Sequence, residues 1–333
     1  MGETGKAKSV FWTRPFQTVD TLVVTCILAV TAGGIAALSP ASAPISGPEG
    51  RVMAAAATPQ APPRAPAGEM YHPWTAPKPY HPDIPEPKTP AKPLIAQKAF
   101  LTRLETPGAD PVLYASDYDV VDSHYACHWR GENVEKTSSG ALLAIHNVNG
   151  ASQPCTAAEM QTPGHYSYGR YEVVMRPARG SGTVSSFFTY TGSWFGDPHD
   201  EIDIEFLGKD TTKVHFNYFR NGDTGTDEIF DLPFDAADAD RLYAFEWTPE
   251  GITWFVEGVP YYTTPVGDTQ LPVAPGRIYM NVWAGANWVQ SWTGAADYKS
   301  GAGAHYSCVS YVPLGEKGAN CGDTYVPPAT LSP

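Results

Sequence analysis

Three carboxylic acids alternate with apolar residues in the stretch HDEIDIEFLG, which covers His199–Gly208. Successive side chains of a β-strand point to opposite faces, so Glu201, Asp203 and Glu205 are predicted to share one face of a strand. The isoleucines and the phenylalanine between them would then face a core. Neighbours in the row lie about 6.6 Å apart at Cα, a range at which like charges destabilise a strand. The row therefore predicts a function for its charges.

The outer pair of this row has the residue types that cleave a glycosidic bond. Glu201 and Glu205 lie about 13 Å apart at Cα on a straight strand, and two leaning side chains bring the carboxyl groups towards the roughly 5 to 5.5 Å of a retaining glycosidase. One carboxylate attacks the anomeric carbon, and the other protonates the leaving oxygen. Asp203 would hold a proton or hydrogen bond that keeps one Glu ionised and the other protonated. As a bare pattern, the row also fits a solvated strand or a calcium site.

The segments expected beside this strand supply aromatic and amide side chains. Aromatic rings stack on the apolar face of a sugar, and amides bond to its hydroxyl groups. The predicted cleft lining consists of Phe188, Tyr190, Asn217, Asn281, Trp283 and Trp292, with Trp288 as a further candidate. The aromatics predicted to fill the core include Phe187, Phe216 and Trp254.

The elements that must position these residues are strands. Short alternating runs, rich in β-branched and aromatic residues and broken by Gly, Pro and Asn-Gly, continue from about residue 98 to residue 313. Helical periodicity is not convincing anywhere along them. Such runs predict an all-β fold of two packed sheets, a sandwich or jelly roll. A wide, curved sheet of this kind offers a groove for the carboxylate row.

Composition excludes one large class of partner. The chain of 333 residues has a formal net charge of −13 and no basic stripe, which argues against binding to a phosphate backbone. Nucleic acid is therefore not an expected partner. Aromatic residues make up 12% of the chain, and they supply flat amphipathic faces that suit a core, an interface or a sugar ring.

The regions outside the runs of strands have their own patterns. Residues 21–38 are an uncharged apolar run after three basic residues, so 1–43 is predicted to be a signal peptide or a membrane anchor. Residues 44–97 are rich in proline, which predicts a stiff, extended linker. Residues 98–313 would form the folded domain and 314–333 a C-terminal tail. We expect an exported protein that is periplasmic, extracellular or anchored to the cytoplasmic membrane facing outward.

Four cysteines remain beyond the apolar run. An even number in an exported chain favours two disulfides, and residue types alone leave three pairings open. No Cys-x-x-Cys motif or clustered His accompanies them, so zinc is not expected. The four are Cys127, Cys155, Cys308 and Cys321.

The stretch GRYEVVMRPARGSGTVSSFFTYTG, followed by HDEIDIEFLGKDTTKVHFNYFRNG, resembles glycoside hydrolase family 16. The resemblance covers about residues 116–313 and is closest to the branch of bacterial lichenases and exopolysaccharide depolymerases. It implies a concanavalin A-like β-jelly roll with a concave substrate groove. It also implies a monomer that performs retaining endo-hydrolysis of a β-glucan or exopolysaccharide chain, without a cofactor.

Individual positions carry the family's roles over to this chain. The resemblance implies that Glu201 is the nucleophile, Asp203 its assistant and Glu205 the acid/base. It also implies that Glu159 binds sugar and that Cys127 pairs with Cys155. The other two cysteines, Cys308 and Cys321, are expected to pair because they are close in sequence.

Four positions depart from the lichenase pattern. His199 stands where lichenases have Trp, a replacement that suits a substituted or charged polymer. Gln161 replaces an Arg, so we expect no acid group to be held there. Phe219 replaces a tyrosine near the cleft and, like His199, is assigned to substrate binding. Ser307 replaces the aspartate that ligates a structural calcium, so no metal is assigned.

Two other functions compete with hydrolysis. A non-catalytic carbohydrate-binding sandwich would share the groove, but it would not need three adjacent carboxylates. A transglycosylase would use the same covalent intermediate and exclude water from the second step. The sequence leaves the polymer open between a mixed-linkage β-glucan and a bacterial exopolysaccharide, and favours the latter.

Overall fold

A computed structural model describes residues 98–105, 113–120, 124–148 and 153–328. This part of the chain is almost entirely β-structure, with one short helix, α1 (Gln290–Thr293), and a few 3₁₀ turns. The strands are β1 (Phe100–Arg103), β2 (Tyr114–Ala115), β3 (Cys127–Trp129), β4 (Val134–Thr137), β5 (Gly140–Asn147), β6 (Cys155–Gln161), β7 (Gly169–Arg176), β8 (Thr183–Thr191), β9 (Asp200–Leu207), β10 (Lys213–Arg220), β11 (Asp223–Asp231), β12 (Arg241–Thr248), β13 (Gly251–Val256), β14 (Val259–Thr263), β15 (Arg277–Ala284) and β16 (Ala302–Pro313).

The strands form two antiparallel layers that are joined at one edge. The front sheet has the order β11-β10-β9-β8-β15-β6, and the back sheet has the order β5-β16-β7-β12-β13-β14. The layers connect where β5 pairs with β6, with His146 opposite Thr156. The predicted all-β sandwich of the jelly-roll type is confirmed.

The core lies between the two layers and follows the alternation of the strands. Ile202, Ile204 and Phe206 of β9 are all fully buried in it, as predicted. Phe216 of the front sheet stacks on Trp254 of the back sheet, with ring centroids 5.6 Å apart. The carboxylate row on the same strand as the isoleucines is therefore on the opposite, outer face of the front sheet.

Two disulfides fasten the periphery of the sandwich, and both expected pairings are confirmed. Cys127 on β3 bonds to Cys155 on β6, next to the point where the two sheets meet. Cys308 on β16 bonds to Cys321, which begins a 3₁₀ turn after the last strand. The second bond holds the segment that follows β16 against the back sheet.

The predicted signal or anchor and the proline-rich linker, residues 1–97, lie outside the described residues. Among the helices of the described part, none is long and apolar enough to cross a membrane.

Candidate active site

The carboxylate row lies on β9, between β8 and β10, at the centre of the front sheet. Glu201, Asp203 and Glu205 are 7%, 4% and 8% exposed, so the row is sunk into the floor of a cleft. The register sets one side chain from each neighbouring strand beside each acid: Tyr190 and Phe219 at Glu201, Phe188 and Asn217 at Asp203, Ser186 and His215 at Glu205. The pocket over the row is lined by Tyr125, Ser186, Phe188, Glu201, Asp203, Glu205, Phe219, Asn281 and Trp283.

The back sheet holds the floor of this cleft in place from below. The indole Nε1 of Trp254 donates a hydrogen bond to the backbone oxygen of Asp203 at 3.0 Å. The hydroxyl of Tyr306 donates to the backbone oxygens of Ser186 and Asn281, at 2.9 and 2.8 Å. These bonds link the catalytic strand and its neighbours to rigid core aromatics, which limits movement of the row.

The start of β9 is fixed by a different carboxylate, Asp200. Its side chain faces away from the row and accepts hydrogen bonds from Arg220 Nη1 at 2.7 Å and from the backbone nitrogens of Val273 and Ala274 at 2.8 and 2.9 Å. Asp200 thus secures one end of the cleft floor and has no free edge for a substrate.

Burial changes the protonation of the row. The pKa of Asp203 is raised well above its ordinary value by burial, and further by the charges of Glu201 and Glu205 and by a hydrogen bond with Glu201. Burial also raises the pKa of Glu205 to about 7, although the charge of His215 opposes the rise. Burial thus favours the protonated forms of both acids, and Glu205, with a pKa of about 7, is poised to give up its proton near neutral pH.

His199 contacts the first acid of the row directly. Its Nε2 lies 2.5 Å from Oε2 of Glu201, and its ring stacks on Phe219 with centroids 4.9 Å apart. Tyr190 packs edge-on against the same imidazole at 5.3 Å. The three residues that were assigned to substrate binding thus surround Glu201 itself, and they hold its carboxylate in one orientation.

His215 has an equivalent position at the other end of the row, and sequence reasoning missed it. Its Nδ1 lies 3.7 Å from Oε2 of Glu205, and its Nε2 bonds to Asp227 on β11. The side chain is only 2% exposed. The available signal was its place in the strand KVHFNYF, two residues before Asn217, but only the register with β9 sets it beside Glu205.

Glu159 on β6 marks the next part of the cleft, three strands from Glu205 on β9. Its Oε1 accepts a hydrogen bond from Ser116 at 2.7 Å and a long one from Tyr118 at 3.4 Å, and its Oε2 faces Asn281 Nδ2 at 3.5 Å. Burial raises its pKa to about 7, and these donors oppose the rise. Ser116 and Tyr118 were not predicted, because they come from a segment about 40 residues away in sequence.

The predicted aromatics and amides lie on the same face in most cases. Phe188 stacks on Tyr279 at 4.9 Å, and Trp283 packs between Tyr125 at 4.6 Å and Trp292 at 5.9 Å. Asn217 Nδ2 and Asn281 Oδ1 are buried without a hydrogen-bond partner in the described part of the chain. Trp288 is different, since it is 48% exposed and packs on His124 outside this group.

Gln161, which replaces an arginine of the lichenase pattern, has a cationic neighbour that the sequence did not reveal. Arg277, at the start of β15, donates from Nη1 to Oε1 of Gln161 at 2.8 Å and to the hydroxyl of Tyr114 at 2.5 Å. A guanidinium is therefore present at this place, supplied by a different strand. The expectation missed it because the two positions are 116 residues apart.

The region around Ser307 does not fit a calcium site. Its hydroxyl faces the backbone oxygen of Val174 at 3.5 Å and carries no charge. No group of three His, Cys, Asp or Glu side chains that could hold a metal occurs within the described ranges. Calcium takes six to eight oxygen ligands that usually include carboxylates, and Ser307 supplies no carboxylate.

The sandwich, with acids, aromatics and amides on the outer face of its front sheet, defines a class of carbohydrate-active jelly rolls. The family model described as Glycosyl hydrolases family 16 matches residues 121–300. The chain belongs to this family and is a glycoside hydrolase that acts on O-glycosyl bonds.

Known relatives agree with this placement. The chain is 47% identical to a beta-glucanase of Bacillus amyloliquefaciens over 188 residues, which are 56% of this chain and 76% of that protein. The crystal structure of a β-1,3-1,4-glucanase (lichenase) from a mouse hindgut metagenome has a TM-score of 0.61 and 40% identity, and it covers 65% of this chain and 99% of that one. The Crh5 transglycosylase, at 23% identity and a TM-score of 0.56 over 69% and 90% of the two chains, shares the fold alone.

Proposed function

We propose that this protein is an endo-acting retaining β-glucanase whose catalytic residues are Glu201, Asp203 and Glu205. It hydrolyses internal β-glucosidic linkages of a 1,3-1,4-β-glucan. The similarity to beta-glucanases at 44 to 48% identity supports this activity. The observation that carries the assignment of residues is the buried acid row, in which burial raises the pKa of Glu205 to about 7.

The first step of the reaction uses both glutamates. The carboxylate of Glu201, oriented by His199, attacks the anomeric carbon and forms a covalent glycosyl-enzyme. The bond from that carbon to the leaving oxygen breaks, and Glu205 donates its proton to this oxygen, so the leaving sugar departs as a neutral alcohol. Asp203 keeps its proton and donates a hydrogen bond to Glu201, which keeps negative charge on the nucleophile.

The second step reverses the roles. Glu205, now ionised, takes a proton from water, and the resulting hydroxide attacks the anomeric carbon. The bond to Glu201 breaks and its carboxylate is released. Two inversions give net retention of the anomeric configuration. His215 stabilises the ionised form of Glu205 in this half of the cycle, since its charge lowers the pKa of that carboxyl.

The carbohydrate reaches the row through the stacking and amide groups of the cleft. Phe188, Tyr190 and Trp283 offer ring faces and edges, and Asn281 offers a buried oxygen without a partner in the described part of the chain. Sugar hydroxyls are donors that can fill such a vacancy.

We also propose that the protein works outside the cytoplasm as a monomer. Two disulfides support export, because such bonds persist in oxidising compartments.

The test of this function is product analysis on lichenan, laminarin and an acidic bacterial exopolysaccharide. Hydrolysis within the lichenan chain gives a rapid fall in viscosity, few reducing ends at first, and products whose new reducing end is initially the β anomer. Addition of an acceptor oligosaccharide separates the competing transglycosylase, which would give products longer than the substrate. Release of single sugars, or an initial α anomer, would contradict the proposal.

A further inference from the structure

The outer face of the front sheet has a positive group beside Gln161 and Tyr114, the guanidinium of Arg277. Arg277 is half-buried on the outer face of the front sheet, at the start of β15. Arg277 lies opposite Tyr190 of β8 in the sheet, and Tyr190 lies opposite Glu201 of β9. The strand that carries Arg277 is therefore two strands from the strand of the nucleophile. Two strand spacings are about 10 Å, a short distance along a bound polysaccharide.

Arg277 forms no close ion pair within the described part of the chain, although its charge lowers the pKa of Glu159. No carboxylate oxygen of the described residues lies within the 4.0 Å limit of an ion pair with it, whereas Arg170, Arg179 and Arg220 each have one. Both of its hydrogen bonds are made by Nη1 and go to neutral oxygens, those of Tyr114 and Gln161. The chain has a net charge of −13, so acids are plentiful in it. A cleft cation that none of the described acids pairs with therefore favours the binding of an external anion.

The remaining edge of the guanidinium has the geometry of a carboxylate fork. Nε is buried and has no hydrogen-bond partner within the described residues. Nε and Nη2 together form one of the two edges that bind a carboxylate through two parallel hydrogen bonds. A buried donor without a partner is costly, so a ligand oxygen at this edge would be favourable.

The surroundings keep this edge in one orientation. The guanidinium lies over the ring of Phe195, 4.7 Å from its centroid, in the 3₁₀ turn Ser193–Phe195. His165 packs against the same Phe195 ring, with ring centroids 4.7 Å apart. His165 is 2% exposed, and neither of its ring nitrogens has a partner within the described ranges. Burial, and then the charge of Arg277, lowers its pKa to about 4, so it is a neutral hydrogen-bonding group.

We propose that Arg277, with Gln161, Tyr114 and Phe195, forms a subsite for a carboxylate group carried by the polysaccharide. This proposal rests on the function given above and names its substrate class: a β-glucan that bears acid groups near the cleaved bond. The acid is either a C6 carboxylate of a sugar ring or a carboxylate in an ester substituent. Glu159, an acid on the same face whose pKa the charge of Arg277 lowers, has a pKa of about 7 and so repels the ligand little below that pH.

The experiment compares three forms of one polymer. Lichenan is partly oxidised at C6, a portion is reduced back to the neutral sugar as a matched control, and a third portion is succinylated on its hydroxyl groups. The readout is the ratio of kcat/KM for each acidic form to that for the reduced form. For the wild type we expect at least one ratio above one, falling as salt is raised. The two acidic forms then distinguish a ring carboxylate from an ester substituent.

Variants assign the effect to Arg277. Because charged hydrogen bonds are the strong ones, Arg277→Gln should lower the favoured ratio about tenfold or more. Arg277→Lys keeps the charge but loses the pair of parallel donors, so its ratio should lie between those of the wild type and Arg277→Gln. Arg179→Gln removes an arginine that pairs with Asp235 and Asp238 elsewhere, and its ratio should equal the wild-type value. Equal ratios for wild type and Arg277→Gln, or a wild-type ratio of one or less for both acidic forms, would overturn the proposal.

Binding separates this result from failure of the proposed function. Titration calorimetry in the Glu201→Gln background, which leaves the ligand intact, compares a mixed-linkage tetrasaccharide with its C6-oxidised form. Tighter binding of the oxidised form that depends on Arg277 supports the subsite even if no polymer is cleaved. Equal binding contradicts it even if lichenan is cleaved rapidly.

Discussion

Glu172 on the back sheet and Glu205 on the front sheet are both glutamates in the middle of a strand, and they are 3% and 8% exposed. Glu172 accepts hydrogen bonds from Arg170 Nε at 2.6 Å and from the backbone nitrogen of Gly322 at 2.7 Å. Glu205 has no arginine or lysine within ion-pair distance in the described structure and shares its strand face with two more acids. The two carboxyl groups are therefore similarly buried but lie in different electrostatic environments.

The difference separates a carboxyl that stabilises the fold from one that does chemistry. A charge that is paired when buried can be retained for structure, and its removal leaves a partner unpaired. A carboxyl that is buried beside like charges takes up a proton instead, which is what a general acid needs. The protein thus has a stability site and a catalytic site that a burial value alone does not distinguish.

The largest expected effect is on the catalytic side of this comparison. Glu205→Gln should lower kcat on lichenan by about 10² to 10⁴-fold, because no proton reaches the leaving oxygen. An aryl glycoside with a good leaving group needs little protonation, so it should recover the first step. The same variant should unfold in urea at or above the wild-type midpoint, since it removes a buried carboxyl that lies beside two other acids. Lost activity on both kinds of substrate, with a lower midpoint, would instead indicate a structural role.

The matched change on the back sheet should give the opposite result. Glu172→Gln removes the close ionised acceptor of Arg170 Nε and leaves only the longer pair with Glu246 at 3.8 Å. We expect a loss of about 2 kcal/mol in the free energy of unfolding, the range of a charged hydrogen bond. Urea unfolding at pH 7 measures it. The kcat on lichenan at 25 °C should remain that of the wild type, and a fall in kcat without a fall in stability would break the distinction between the two sites.

The smallest expected effect is a shift of the pH profile. Burial raises the pKa of Glu205 to about 7, the charge of His215 lowers it, and the charges of Glu201 and Asp227 raise it again. The protonated form is the active one, so kcat/KM should fall as the pH rises through about 7. His215→Gln removes a lowering influence and should move this alkaline limb to higher pH.

His305→Gln is the control for the pH profile. It replaces a back-sheet histidine that is bonded to Asp240, away from the cleft, and should leave the limb where it is. A limb that stays in place in the His215 variant, or that moves in the His305 variant, would contradict the assignment.

Sequence reasoning reached the parts of the site that a single strand determines. The alternation in β9 predicted both the acid row and the buried face of Ile202 and Ile204, because a period of two is a local property. It missed His215 and Arg277, whose roles depend on which strands become neighbours and in what register. That information lies in pairings between distant segments, such as His215 opposite Glu205 and Arg277 opposite Tyr190.

Family resemblance carried part of this missing information, but it left out the neighbours of Gln161. It placed Glu159 in the cleft, where the structure has its carboxyl beside Asn281. It led us to expect no acid group to be held at Gln161, and it did not show that Arg277 supplies a guanidinium beside that residue from another strand. When a charged side chain is lost at one position, a residue on a different strand can place the same charged group nearby. A single sequence does not show such a replacement.

The central claim is that Glu201 forms the covalent bond to sugar and Glu205 transfers the proton. Glu201→Ala and Glu205→Ala, incubated with an activated aryl β-glycoside and azide, test both assignments in one measurement, the anomeric configuration of the glycosyl azide by NMR. Azide enters the space left by Glu201 from the α face, so that variant should give the α-glycosyl azide. In the Glu205 variant azide attacks the covalent intermediate and should give the β-glycosyl azide. The reverse pattern, or near wild-type hydrolysis of lichenan by either variant, would contradict the account.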